Sequence, residues 1–442
     1  MSRSLDQAVD TSLLIRFALP TICSMLSAGL YGTVDGIFVA RLVGADALAA
    51  VNIVAPLLIF GVSLGHMFGM GGSALVARTL GEGDDAAARE YFSLILYTVG
   101  LLGMVILFAG EALLEPLLAV LGSDAALLPL CRDYARPLLL FFPFLLLTLA
   151  FEIFFITAGR ASLGLACTMA GGICNIVLDY LFMAVLDWGI QGAAVATGLG
   201  YALSACLGLV YFARPRDGLC LGRPSRRVSV LLTAAGNGFS EMVSNLAAAV
   251  VTLLFNNILM RMCGAEGVAA ITIILYGQWL INMVFMGYAV GISPLVSYND
   301  GSGNRSRLRA IHRRSLRLIA AFSAVTCCIA YVSAPVLTGL FSPPGTTVHT
   351  LASRGFRLFA VSFLLAGFNI YASALFTALS NGVVSALLSF CRTFLFVVPA
   401  ALLLPLWLDL DGVWLSIPCA EALGLFLSLF MIWRKRGNYG YA

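Results

Sequence analysis

Charge is what this chain of 442 residues has least of: Asp, Glu, Lys and Arg make up 11% of it, against 60% hydrophobic residues and a mean hydropathy of +0.97. That balance excludes a soluble domain, in which about 25% of residues are charged. Histidine is nearly absent, and the three that exist, at 66, 312 and 349, are too scattered for a metal site. No Ser/Lys or His constellation falls on facing helices, so an intramembrane acyltransferase or protease lacks its machinery. The eleven cysteines include no Cys-x-x-Cys pair. Cys23, Cys167, Cys174, Cys206, Cys391 and Cys419 lie inside apolar stretches, where they read as small packing residues rather than a disulfide framework. A cleavable signal peptide is also missing: Met1 to Asp10 is polar and the first apolar run is too long, so the mature chain is expected to start near Met1.

What is present is a series of twelve apolar stretches, each long enough to cross ~30 Å of hydrocarbon as a helix. They cover residues 14–42, 47–77, 91–113, 134–158, 162–186, 190–212, 231–262, 267–297, 314–340, 356–379, 383–407 and 411–433. The expected fold is therefore an all-α polytopic membrane protein of twelve transmembrane helices. With the N-terminus inside, 19 basic residues fall on the inner side: Arg3, Arg16, Arg78, Arg89, Arg160, five Arg at 214–227, six Arg at 305–317 and Arg434-Lys435-Arg436. Six fall outside (Arg41, Arg132, Arg136, Arg261, Arg354, Arg357), and Arg392 lies within a span, near its inner end, from where it is expected to snorkel to the interface. The positive-inside rule then places both termini in the cytoplasm of a cell (inner) membrane protein. The net charge of +4 follows from this topology and points to no nucleic acid.

Laid on itself with a shift of 220 and no gap, the sequence repeats. Gly44-Ala-Asp-Ala-Leu-Ala-Ala-Val-Asn-Ile53 falls on Gly264-Ala-Glu-Gly-Val-Ala-Ala-Ile-Thr-Ile273, Gly81 and Gly83 on Gly301 and Gly303, Arg89 on Arg309, Thr157 on Thr377 and Gly192 on Gly412. Matches in polar loops do not follow from hydrophobicity. Two six-helix lobes are expected, residues 1–213 and 229–442, joined by a cytoplasmic linker at 214–228. Six is even, so the lobes are related by a pseudo-two-fold axis along the membrane normal, an arrangement suited to alternating access.

Polar groups inside the spans point to chemistry, because a carboxylate in hydrocarbon costs roughly 2.5 to 3.5 kcal/mol. Asn175 and Asp179 share one helical face, and Thr197 lies beyond the Asp187-Trp188-Gly189 turn at a matching depth of ~12 Å. Asp35 lies ~13 Å below the outer end of the first span. Asp35, Asn175, Asp179 and Thr197 are thus candidates for a cation site that binds Na⁺ through hard oxygens or carries a proton. The competing reading is that each acid merely bonds a neighbouring helix. The 220 shift sets Asp35 on Phe255, Asn175 on Leu395, Asp179 on Pro399 and Thr197 on Ile417, so the second copy has lost every oxygen. Secondary candidates for substrate or proton contact are Glu241, Glu152, Tyr31, Met283 and Met286, with Glu421 in the last span; Met67 and Met70 join the Met residues as candidate cavity lining, and His66 reads as a satisfied interior histidine. Pro20 breaks a backbone bond early in the first span and is a candidate hinge, a static bend being the alternative.

At this point the sequence resembles the multidrug and toxic compound extrusion family, whose superfamily also holds lipid and polysaccharide flippases. The likeness rests on Thr33-Val-Asp35-Gly-Ile-Phe-Val, Gly44 to Asn52, Leu80-Gly-Glu-Gly-Asp84, Asn175-Ile-Val-Leu-Asp179, Gly192 to Thr197 and Ser240-Glu241. It implies a V-shaped, two-lobe antiporter that exports lipophilic organic cations against H⁺ or Na⁺, with Asp35, Asn175, Asp179 and Thr197 as the cation site and Glu241 as an acid of the second lobe. The chain departs from the family in having Tyr180 after the second Asp, no Pro at Gly236 to Ser240, and Asn369 where some members carry an acid. No cofactor is expected beyond the coupling ion; the expected partners are organic cations and lipid, and the expected state is a monomer. A flippase of a lipid-linked glycan calls for a cationic cavity, and here the interior charges are mostly acidic. A passive channel remains the further alternative, separable by whether substrate moves uphill.

Overall fold

The computed structural model describes residues 5, 7, 9–215 and 218–441, so Arg3 and Arg216 of the charge count lie outside the described residues. Within them the backbone is helix and turn, with no strand. Hydrocarbon offers no partner to a backbone N–H or C=O, and a helix satisfies both within its own segment. The first six-helix stretch contains α1 (Thr11–Phe38), α2 (Ala45–Gly81), α3 (Asp85–Ala112), a short α4 (Leu114–Val120), α5 (Leu128–Leu140), α6 (Phe142–Thr157), α7 (Ala161–Asp179) and α8 (Gly189–Ala213). The second contains α9 (Val228–Gly301), α10 (Arg305–Gly339), α11 (Thr347–Ala360), α12 (Phe363–Ala378), α13 (Gly382–Phe390), α14 (Val397–Leu403) and α15 (Pro405–Tyr439).

Nine helices among the described residues are long and apolar enough to cross a membrane. One of them, the 74-residue α9, is two spans broken at Gly264, whose φ of 64° and ψ of −152° leave the helical region. Two more spans are bent pairs, α5 with α6 at 55° and α11 with α12 at 54°. Together these make the twelve spans. The bends were not legible in the apolar pattern, which places the fourth and tenth spans at 134–158 and 356–379 and so misses the outer arms. Pro137 and Pro143 flank the first bend. At the second, Val361 and Ser362 separate the two helices. Pro20, by contrast, lies within a continuous α1.

The chain divides into two compact units, one built on Leu19–Gly238 and the other on Phe239–Ala442 together with Ala8–Ala18. Their repeated geometry corrects the gap-free alignment. Gly44 and Gly264, Gly83 and Gly303, and Gly189 and Asp409 all have positive φ and lie 220 residues apart. Between them, α6 ends at Thr157 and α7 starts at Ala161, whereas α12 ends at Ala378 and α13 starts at Gly382. These bounds lie 221 apart, as do the starts of α6 and α12, so the extra residue enters at the bend, where Phe141 alone separates α5 from α6 but Val361 and Ser362 separate α11 from α12, and it is absorbed before Asp409. In that local register Asn175 and Asp179 fall on Phe396 and Ala400, so the second copy lacks the oxygens in either alignment.

Each unit also ties down the chain that leaves its last helix. In the first, Arg89 Nε donates to the Gly218 carbonyl at 2.8 Å and Leu219 is buried behind it. In the second, Arg309 Nε donates to the Gly440 carbonyl at 2.9 Å and Tyr441 is buried, its hydroxyl donating to the Ile432 carbonyl at 3.0 Å. His312 packs against the Tyr441 ring at 5.3 Å and bonds the Tyr371 hydroxyl at 2.9 Å. Gly440 has a φ of 67°, which suits glycine, and a Cβ there would meet Arg305 Cδ at 2.7 Å.

The approach of α7 to α8 is set by two glycines. A Cβ on Gly171 would stand 2.6 Å from the Gly200 carbonyl oxygen, and one on Gly200 would stand 2.8 Å from that of Gly171. Small residues at such crossings let backbones close in a membrane, and here the obstructing atoms are the facing backbone together with Ser204 Oγ, 2.1 Å from a Cβ on Gly171. Gly200→Val should destabilise the protein by about 1–3 kcal/mol through overpacking, seen as a lower unfolding temperature in detergent. Arg309→Gln removes a charge-assisted hydrogen bond of about 1.5 kcal/mol; limited proteolysis should then cut the segment after α15, at Gly440 and Tyr441, roughly tenfold faster than in the parent protein.

Candidate functional site

Asp35 lies on α1 one turn before a π-helical segment, Val39–Val43, and Asp179 closes α7 where a second, Tyr180–Val185, begins. A π segment shifts the helical face by a residue and is common at functional sites. The two segments pack against each other. The result is that the carboxyl groups of Asp35 and Asp179 come within hydrogen-bonding reach of one another. Asn175, one turn before Asp179, donates from Nδ2 to Asp179 Oδ2 at 3.1 Å and to Thr197 Oγ1 at 3.4 Å. Asp179 is fully buried and Asn175 is 3% exposed. One oxygen of each acid, Oδ1 of Asp35 and Oδ1 of Asp179, is buried without a hydrogen-bond partner. All four side chains singled out in the sequence are therefore brought together.

Two tyrosines complete the surroundings. Tyr134 on α5 lies within electrostatic range of both acids, and Tyr201 on α8 within range of Asp35. Neither is among the sequence candidates. Tyr201 follows Thr197 by four residues and so shares its helical face, a signal that was available. Tyr134 was hidden by the bend, which carries α5 inward from what the apolar pattern makes the edge of a span.

The secondary candidates are dispersed. Tyr31 packs against Gly172, where a Cβ would meet its ring at 2.6 Å, and it lies within range of Glu152. Glu152 accepts a hydrogen bond from Ser24 Oγ, eleven residues before Asp35 on the same helix and hence ~16 Å from it. Met286 packs against a small core of Phe285, Ala289, Ile370 and Ala374, and Met283 is half-buried nearby in sequence. Met67 and Met70 are buried core residues rather than cavity lining. His66 is half-buried, and its ring nitrogens are not among the buried polar atoms left without a partner.

Arg392 corrects the sequence reading outright. It does not snorkel: its side chain is 17% exposed and pairs with Glu421 Oε1 at 3.5 Å. Ten residues beyond Gly382 it is ~15 Å along its span, and a carboxylate on α15 is nearer than the interface. Glu241 lies within electrostatic range of the same guanidinium.

Chemically, the first unit's cluster offers two carboxylates, an amide oxygen and a hydroxyl. This is a hard, oxygen-only set suited to Na⁺ or H⁺ and unsuited to soft metals. It contains no nucleophile paired with a base.

The MatE family model matches residues 20–181 and again residues 242–403, once in each unit. The multidrug export protein MepA of Staphylococcus haemolyticus is 23% identical over 429 residues, 96% of this chain and 94% of that protein. MepA of Staphylococcus saprophyticus is 22% identical over 427 residues, 96% and 93% of the two chains. Among solved structures, the Vibrio cholerae MATE transporter VcmN shares the fold at a TM-score of 0.90 and 20% identity, with 99% of this chain and 98% of that one covered. A family pattern that recurs in both units, over a multi-pass helical fold, makes this chain a transporter of the MatE family.

Proposed function

We propose that this protein is an antiporter of the cell membrane, both termini cytoplasmic, that exports lipophilic organic cations by alternating access while H⁺ or Na⁺ enters. The observation that carries the reading is the contact between the carboxyl groups of Asp35 and Asp179, each with a buried and unpartnered Oδ1. Two ionised carboxylates in contact repel strongly in a dry setting, and a buried acceptor left empty costs about 1–3 kcal/mol. A proton or a metal ion held between them removes both penalties, so occupancy and the packing of α1 against α7 are coupled. The relatives named multidrug export proteins support drug-like substrates for this chain. Asn175 and Thr197 serve as the positioning amide and a further oxygen ligand.

Asp35→Asn and Asp179→Asn keep the shape of the site and remove its charge. Each should lower ethidium efflux from cells at least tenfold at unchanged protein level, about 1.4 kcal/mol or more; full efflux by both variants would defeat the reading. Thr197→Val separates the two ions, because a hydroxyl ligand matters to Na⁺ and not to a carried proton. In proteoliposomes it should cut Na⁺-driven uptake roughly tenfold and spare uptake driven by a pH gradient, whereas no uphill movement under either gradient would identify a passive pore.

A further inference from the structure

A groove of about 570 Å³ opens on the second unit between α10 and α11, near the end of α10 that is far from its arginines at 305–317. Tyr331, Pro335 and Leu358 give it an apolar wall. His349, Ser353, Arg354 and Arg357 lie on the other side, and none of the lining residues among those described is Asp or Glu. The two arginines differ in what they already hold. Arg354 Nη2 donates to Asp411 Oδ2 on α15 at 2.5 Å, so that pair is neutral in itself. Arg357 is exposed, its guanidinium lying over the Tyr331 ring at 5.8 Å, and among the described residues it has neither an ion pair nor a hydrogen bond. All five of its N–H donors are open.

Depth makes such an arginine receptive to an anion. Arg357 and Ala378, the last residue of α12, are 21 residues apart, which is ~30 Å along the bent pair and equals the thickness of the hydrocarbon, ~30 Å. The guanidinium therefore stands where hydrocarbon gives way to head groups. On the same stretch of α10, Val325, Ile329, Val332 and Val336 are each more than half exposed, and their spacings of four, three and four make them one apolar stripe. An anion held at the groove thus has apolar surface beside it for a hydrocarbon tail. A zwitterionic head would bring an ammonium next to Arg357 and meet no acid to receive it. A phosphodiester with a neutral polyol head avoids that conflict, because its phosphate oxygens match the planar fork of arginine in parallel hydrogen bonds. Its hydroxyls have a partner in His349, whose Nδ1 bonds Thr338 Oγ1 at 3.4 Å and whose Nε2 is uncommitted.

We propose that this groove binds an anionic phospholipid of the phosphatidylglycerol class, with Arg357 on the phosphate and an acyl chain along the apolar stripe of α10. The lipid braces α11 against α10 just before the bend into α12, and the site is independent of which ion drives transport. Native mass spectrometry of the purified full chain, titrated with dioleoyl phosphatidylglycerol or dioleoyl phosphatidylcholine, reads the affinity for the first lipid bound. Phosphatidylglycerol should bind about fivefold tighter, the effect of one basic residue at a membrane surface. Arg357→Gln should remove most of that preference, and Arg357→Lys should keep part of it. Arg313→Gln, at an equally exposed arginine near the other end of α10, should leave it unchanged. Equal affinity of the parent protein for the two lipids overturns the site, and this arm needs no variant to fold. So does a preference that survives Arg357→Gln, or one that falls as far in Arg313→Gln. Displacement of the lipid by an equal concentration of glycerol 3-phosphate also overturns it, since the groove would then be a site for free phosphate.

Discussion

Two carboxyl groups pressed together inside an apolar bundle set the terms for the first unit. Asp179 is sealed from water and Asp35 is half-buried with its Oδ1 enclosed, and Asn175 reaches only one oxygen of Asp179. The surrounding chain is arranged to keep them in contact. Paired glycines at 171 and 200 close the gap between α7 and α8, so the amide of Asn175 and the hydroxyl of Thr197 meet. Two π-helical segments end the helices that carry the acids. The bend between α5 and α6 brings Tyr134 toward the same level. Each device forgoes some regular helical hydrogen bonding or side-chain packing to hold a polar site in a setting that disfavours it.

The second unit keeps the devices and changes the chemistry. Its bent pair differs from the first by one degree, its glycine break recurs at 264, and its terminal arginine clasp recurs at Arg309. Where the first unit has Asp35 and Asp179 it has Phe255 and, in the local register, Ala400. Among its ionisable groups, Arg392 and Glu421 pair inside the unit from two different helical segments. A repeated scaffold thus carries a cluster of two carboxyl groups in one copy and a buried arginine–glutamate pair in the other.

Hydropathy made the twelve spans legible, and depth counted from the turns brought out the convergence of Asp35, Asn175, Asp179 and Thr197, because helical rise is nearly constant over so short a distance. What failed was whatever departs from regular rise. The inserted residue at the α11–α12 bend is invisible to a shift that matches on both sides of it. The outer arms α5 and α11 have too many polar residues to register as membrane-spanning alone, which hid Tyr134. Arg392 was misjudged because hydropathy locates a charge relative to the interface and says nothing of a carboxylate waiting on the next helix.

The arginine clasps carry a consequence for biosynthesis. Gly218 lies halfway along the chain, so the first unit has the segment that Arg89 holds as soon as its six helices are made. The corresponding piece of the second unit, Gly440 and Tyr441, follows α15 and is made only after all the helices of that unit. Domains settle in the order in which the ribosome delivers them. The leading half can therefore close its arginine clasp while the second unit is still being made, whereas the trailing half stays open until the segment after α15 has been synthesised.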